Sequence, residues 1–141
     1  MPADILTIDT QGPGLYDFTQ EAAGFLRGHD VTGSGLLTVF VRHTSCSLVI
    51  QENADPDVQT DLDAFFRRLV PDADDPSMRW LRHVTEGPDD MPAHIKAALT
   101  QTSIGIPVLD GRLALGTWQG LYLFEHRHAP HRRQVVLQLS G

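Results

Sequence analysis

The chain has 141 residues, 41% hydrophobic and 21% charged, which suits one domain whose core needs no metal or disulfide staple. A net charge of −7, with seven histidines taken as neutral, argues against sequence-independent nucleic-acid binding, which rests on clustered Lys and Arg. No apolar run nears the roughly 20 residues of a membrane span. Cys46 is the single cysteine and has no internal disulfide partner. MPADILTID lacks the basic start and apolar stretch of a secretory signal, so a reducing, cytoplasmic setting is expected.

The segment 4–9 (DILTID) alternates and predicts a first strand, and GPG at 12–14 predicts a turn. Thr19 has the features of a helix N-cap, with Glu21 in the first turn and Gly28 closing the segment. LLTVFVR at 36–42 is β-branched and apolar and predicts a buried strand; 47–51 is a second strand or a bulged extension of it. Asp55-Pro56 opens a helix in which Val58, Leu62, Phe65, Phe66 and Leu69 share one face, expected to pack on the core, and Pro71 ends it. Residues 72–90 form a long polar loop with Trp80 as its anchor, a length more often functional than decorative. Pro92 opens another helix to about Leu99. SIGIPVL, Asp110-Gly111 and RLALG then predict a hairpin. WQGLYLFE at 118–125 and QVVLQL at 134–139 are two more strands joined through a basic turn. The class is α+β, with about seven mostly antiparallel strands and about three helices.

The chemistry-bearing residues are dispersed. His43 ends a strand, His83 and Glu86 lie in the long loop, and His94 sits in the first turn of the next helix after Asp89 and Asp90. Three histidines are a common catalytic zinc set, whereas magnesium would use carboxylate oxygens. The spacing matches no compact metal motif, and each histidine taken alone is accounted for by a backbone hydrogen bond. Asp55 and Asp57 serve helix capping. Cys46 reads as a small buried residue and Trp118 as core. Gly116 and Gly120 imply close backbone approach to a neighbour or a ligand. HRHAPHRR at 126–133 is a solvated basic turn or an anion grip.

Three segments, HTSCSLVIQENADPDV, HVTEGPDDMPAHIKAAL and IPVLDGRLALGTWQGLYLFEHR, follow in this order. Together they resemble the YjbQ family, small proteins described as secondary thiamine-phosphate synthases, over roughly residues 15–139. The resemblance implies a single-domain α/β sandwich that assembles as a homotrimer with sheets packed around the threefold axis. It implies a weak or auxiliary activity joining a pyrimidine methyl diphosphate to a thiazole phosphate with release of pyrophosphate. It gathers His43, His83 and His94 in one pocket as ligands of a divalent metal, zinc-like or magnesium. Glu86 becomes the acid/base or a fourth ligand, and His43 and Asn53 further catalytic groups. Asn53 and Gln119 would orient the heterocycle, with Trp118, Asp90 and Arg132 as further contacts to a small phosphorylated metabolite. Ser45 and Cys46 stand where the family more often has Thr and Ala. EGPDDMPAH is longer than the family's usual form, which leaves Asp89 or Asp90 for the site aspartate; Asp90 is favoured. A metal-dependent hydrolase of a small metabolite and a trimeric anion-binding protein without turnover are the alternatives.

Overall fold

The computed structural model describes residues 1–29 and 31–141. Its strands are β1 (Ala3–Thr10), β2 (Gly14–Asp17), β3 (Gly35–Val41), β4 (Cys46–Glu52), β5 (Ser103–Leu109), β6 (Arg112–Leu113), β7 (Gln119–Glu125) and β8 (His131–Ser140). Its α-helices are α1 (Thr19–Arg27), α2 (Pro56–Leu69) and α3 (Asp90–Leu99). One sheet has the order β1-β8-β3-β5-β6 and the other β2-β7-β4. Every ladder is antiparallel, and the class is α+β.

The core lies between the sheets. It is built from Leu37, Val39 and Val41 of β3, Ile104, Ile106 and Val108 of β5, Val135, Leu137 and Leu139 of β8, and Leu121 and Leu123 of β7, closed by Phe18, Phe25 and Leu26 at α1. These residues alternate along their strands, as burial of one face requires. Each fully buried side chain of this kind contributes about 1.5–3 kcal/mol. β7 departs from alternation: Gly120 to Glu125 are all buried, because Tyr122 and Phe124 meet α2 on the far side. Phe66 packs edge-on against Phe124, ring centroids 5.2 Å apart, and Gln59 Nε2 donates to the Tyr122 hydroxyl at 3.2 Å.

Several expectations change. Residues 47–51 form a separate strand in the second sheet, and β2 is a short strand the sequence reading missed. The basic segment after β7 is no hairpin turn, since it carries the chain from one sheet to the other. α3 starts at Asp90, two residues before Pro92. The apolar face of α2 is only partly covered: Phe65 is 55% and Leu69 53% exposed. Trp80 does not anchor the long loop. It is exposed, its Nε1 donating to Ser77 O at 2.9 Å, and Met78 fills the buried position instead. Gly120 lies against a neighbour: a Cβ there would stand 2.9 Å from the Tyr122 ring. The Asp110-Gly111 hairpin forms as read, both residues at positive φ.

Candidate metal centre

The loop between α2 and α3 is tied across its neck by Ala73 N–H donating to Pro88 O at 2.8 Å. Its short 3-10 turn, Pro76–Met78, is capped by the Asp75 carboxylate, which accepts from Ser77 N–H at 3.0 Å. Gly87 takes φ 105°, a turn open to glycine without strain, and delivers Glu86 next to α3. Asp90 and His94 stand four apart on α3 and share a face. His83 Nε2 lies 2.7 Å from Asp90 Oδ2 and 2.9 Å from Glu86 Oε2. His94 Nε2 lies 3.2 Å from the same Asp90 oxygen. One ligand atom from each of His83, Glu86, Asp90 and His94 falls within 4.8 Å of the others.

The hydrogen bonds constrain the protons. His94 Nδ1 is 2.8 Å from the carbonyl oxygen of Thr44. A carbonyl only accepts, so Nδ1 carries the proton of the neutral ring and Nε2 turns a lone pair towards Asp90 Oδ2. Two lone pairs that close call for a proton or a cation between them. A backbone carbonyl that fixes the tautomer is also the usual support behind a metal-ligating histidine. His83 is held above its ordinary pKa, first by its bond to Asp90 and then by the Glu86 charge. Burial pushes Asp90 up, but the bond to His83 and the nearby positive charge outweigh it and hold its carboxyl below the usual range.

Arg127 orients Asp90. Its Nη1 donates to Asp90 Oδ1 at 2.6 Å and its Nε to Asp89 Oδ2 at 2.9 Å, which leaves Asp90 Oδ2 for the histidines. Asp89 also accepts from His128 N–H at 2.8 Å. Three carboxylates and one guanidinium leave an excess of two negative charges beside two imidazoles, a balance that favours a divalent cation. A set of two imidazole nitrogens and two carboxylate oxygens fits a borderline metal such as zinc or manganese.

Beneath the cluster lies a buried polar layer. Glu125 is fully buried and accepts from Thr10 Oγ1 at 2.7 Å and Arg133 Nε at 2.8 Å. Its other oxygen takes the backbone N–H groups of His126 and Arg127, so this ion pair sets the segment that carries Arg127. Burial pushes Glu125 up, but Arg133 and Thr10 outweigh it and hold the carboxyl low. His126 is buried with Nε2 2.9 Å from Ser47 Oγ, and burial drives its pKa down to about 3. Burial pushes the Cys46 thiol up to about 12, which leaves it inert.

The predicted site residues divide. His83, Glu86, Asp90 and His94 come together. His43 stays outside this group: its Nε2 accepts from Gln134 N–H at 2.8 Å, and burial lowers its pKa. Asn53, Trp118 and Gln119 gather at the other end of β4 and β7, where Asn53 N–H donates to Trp118 O at 3.1 Å. Seven residues of β4 at about 3.3 Å each separate the two ends by roughly 20 Å. Trp118 is 63% exposed and not core. Arg132 is a surface residue paired with Asp9 at 3.2 Å. The basic segment is therefore not a solvated turn: Arg127 and Arg133 are pinned to carboxylates. The role of Arg127 was unreadable because its partners lie 37 and 38 positions away, and that of Arg133 because Glu125, 8 away, stands on a strand of the other sheet, whereas the Asp90 to His94 spacing on one helix was a legible signal.

The chain matches the family model for UPF0047 protein YjbQ-like over residues 4–141. It is 56% identical to UPF0047 protein sll1880 of Synechocystis over 98% of this chain and 90% of that protein. It is 40% identical to UPF0047 protein YjbQ of Escherichia coli O157:H7 over 96% and 95% of the two chains. The crystal structure of hypothetical protein APE1520 from Aeropyrum pernix K1 superposes with a TM-score of 0.87 at 29% identity, covering 100% of this chain and 99% of that one. With the match running through both sheets and all three helices, the chain belongs to the YjbQ-like UPF0047 family.

Proposed function

We propose that the protein is a divalent-metal-dependent enzyme acting on a small phosphorylated metabolite. His83, Asp90 and His94 would hold the metal, and Glu86 would serve as acid/base or fourth ligand. The observation that carries this reading is the convergence of these four side chains with Nε2 of His94 facing a carboxylate oxygen. When bound, such a metal supplies Lewis-acid stabilisation of charge on a phosphate oxygen. Thr44 O and Arg127 keep His94 and Asp90 aimed inwards, and Glu86, exposed on its loop, can take or give a proton.

Within this reading the reaction is the one the family resemblance implies: a pyrimidine methyl diphosphate joins a thiazole phosphate and pyrophosphate leaves. The nitrogen-containing donor set speaks for a zinc-like ion over magnesium. Hydrolysis of a small metabolite is the second reading. It is favoured by the position of Glu86, a solvent-facing carboxylate beside the ligand set that could accept a proton from an attacking water. The cytoplasm is the expected setting for either.

We propose homotrimeric assembly through the outer face of the five-stranded sheet. Ile5, Leu36, Phe40 and Leu109 stand 42–57% exposed there, and Ile5 and Phe40 both pair with Val136 on β8. Among the described residues no layer covers them. Asn53 and Trp118 would then serve the cluster of a neighbouring copy, since their own cluster lies at the other end of the sheet.

The test is metal content of untagged protein purified without chelator, for wild type, His94→Ala and His43→Ala. About one transition metal per chain is expected in wild type, lost in His94→Ala and retained in His43→Ala. Absence of metal from wild type, with none taken up on titration, would sink the reading. Loaded protein is then given the two phosphorylated heterocycles and pyrophosphate is measured. Glu86→Gln should slow release by about 100-fold or more; an unchanged rate would remove Glu86 from the chemistry. Absence of release with the wild type would leave hydrolysis or binding without turnover.

A further inference from the structure

A second concavity lies at the far end of the molecule from His83 and His94, between the α1 face and the β5–β6 hairpin. Its volume is about 620 Å³, within the range of small-molecule sites. Ala23, Leu26, Val31, Leu113 and Leu115 supply its apolar lining, and Arg27 and Arg112 its cations. Neither arginine makes an ion pair within 4.0 Å among the described residues. Asp110 is the one acid among the lining residues.

The polar lining is partly committed and partly free. Thr19 Oγ1 donates to Asp17 and accepts from Leu121 N–H, so it is spent on the fold. Gln119 Oε1 accepts from Gly116 N–H at 2.8 Å. That bond engages the amide oxygen of a residue that lines the cleft and leaves its NH₂ as an uncommitted donor among the described residues. The Gly111 backbone, at φ 75° and against Val31 O, holds the hairpin close to the 31–33 segment; Gly111 N–H donates to Gly33 O at 3.2 Å. The wall is thus part of the folded framework.

We propose that this cleft binds a phosphomonoester with a small apolar body. The two guanidinium groups would meet the dianion, the Gln119 NH₂ would donate beside them, and the body would rest on Leu26, Val31, Leu113 and Leu115. Two arginines suit a dianionic phosphate better than a singly charged carboxylate, because each planar fork offers paired donors. The inference goes beyond the metal reading and needs no metal at the cluster.

The experiment is titration of isotope-labelled protein with phenyl phosphate in low salt and excess chelator, followed by NMR. Inorganic phosphate and phenol are the controls for head and body. Saturable one-site binding is expected, with shifts at Leu26, Val31, Leu113 and Leu115, and weaker binding of either control. The Arg27→Gln/Arg112→Gln double variant should weaken phenyl phosphate by about tenfold or more. Ala23→Leu, which fills the cleft with a good helix former, should abolish binding while the spectrum stays folded. No saturation, binding indifferent to both variants, or shifts centred on His83 and His94 would each overturn the proposal.

Discussion

Arg127 does two jobs through one guanidinium. It pairs with Asp89 and Asp90, both buried, and it leaves Asp90 Oδ2 facing His83 and His94. Arg127→Ala strands two carboxylates in a poorly solvated place. We expect a loss of about 3 kcal/mol in chemical denaturation and a metal affinity lower by about 10–100-fold in a chelator competition. A variant with unaltered affinity would show that Asp90 needs no such support. His126 makes a pH prediction. Its folded pKa of about 3 lies below the ordinary value of 6.5, so the unfolded chain binds a proton that the folded one refuses. The resulting stability is present in full above pH 6.5 and declines as pH falls towards 3, at about 1.4 kcal/mol per unit at most. The wild-type minus His126→Gln difference in denaturation midpoint should be constant above pH 6.5 and fall as pH drops below it. A difference that is flat with pH would refute the assignment. The loop histidine and its acids could be nominated from residue type, but not the choice of Asp90 over His43, which depends on a backbone N–H from β8 occupying His43.

Among the elements, α2 shows the limit of periodicity. The spacing of its apolar residues reads correctly as a helix, and Asp55 caps it by accepting from Asp57 N–H at 2.9 Å. Periodicity does not say how much of the stripe is covered. Phe66 reaches Phe124, while Phe65 and Leu69 look outwards. Phe66→Ala should therefore cost about 3 kcal/mol. Phe65→Gln or Leu69→Gln should stay within about 0.5 kcal/mol. Equal losses at all three by urea denaturation would mean the stripe is buried in solution, against another copy. β7 illustrates the reverse. Its continuous apolar run was legible as a strand, but coverage on both faces arises only once α2 has folded over Tyr122 and Phe124.

For the whole molecule, the outer face of the five-stranded sheet leaves an apolar surface open, with Ile5, Leu36, Phe40 and Leu109 exposed on it. The proposed trimer would cover it, and Phe40→Asp should then convert a trimer to monomers in light scattering coupled to size exclusion. A monomeric wild type at tens of micromolar would sink that assembly. The same experiment bears on Asn53 and Trp118, whose proposed part in the metal chemistry needs a neighbour. Among the described residues no helix is long and apolar enough to cross a membrane.

Local patterning determined the α+β class, the capped start of α2, the Asp110-Gly111 hairpin and the three quoted segments that mark the family. Each of these depends on residues close together in the chain, where period, capping and turn chemistry act directly. Tertiary structure alone decided that β3 and β4 part into different sheets, that Arg127 and Arg133 turn inwards, and that His43 and Asn53 stand apart from the cluster. Most of those outcomes follow from contacts between residues dozens of positions apart, Arg127 with Asp90 37 apart and Arg133 with Ser45 88 apart, while the Arg133–Glu125 pair, 8 apart, joins strands of different sheets. Arg127 meets Asp90 and Arg133 meets Glu125 because burial of a charge is tolerable only with a partner, and only the assembled sheets bring those partners within reach.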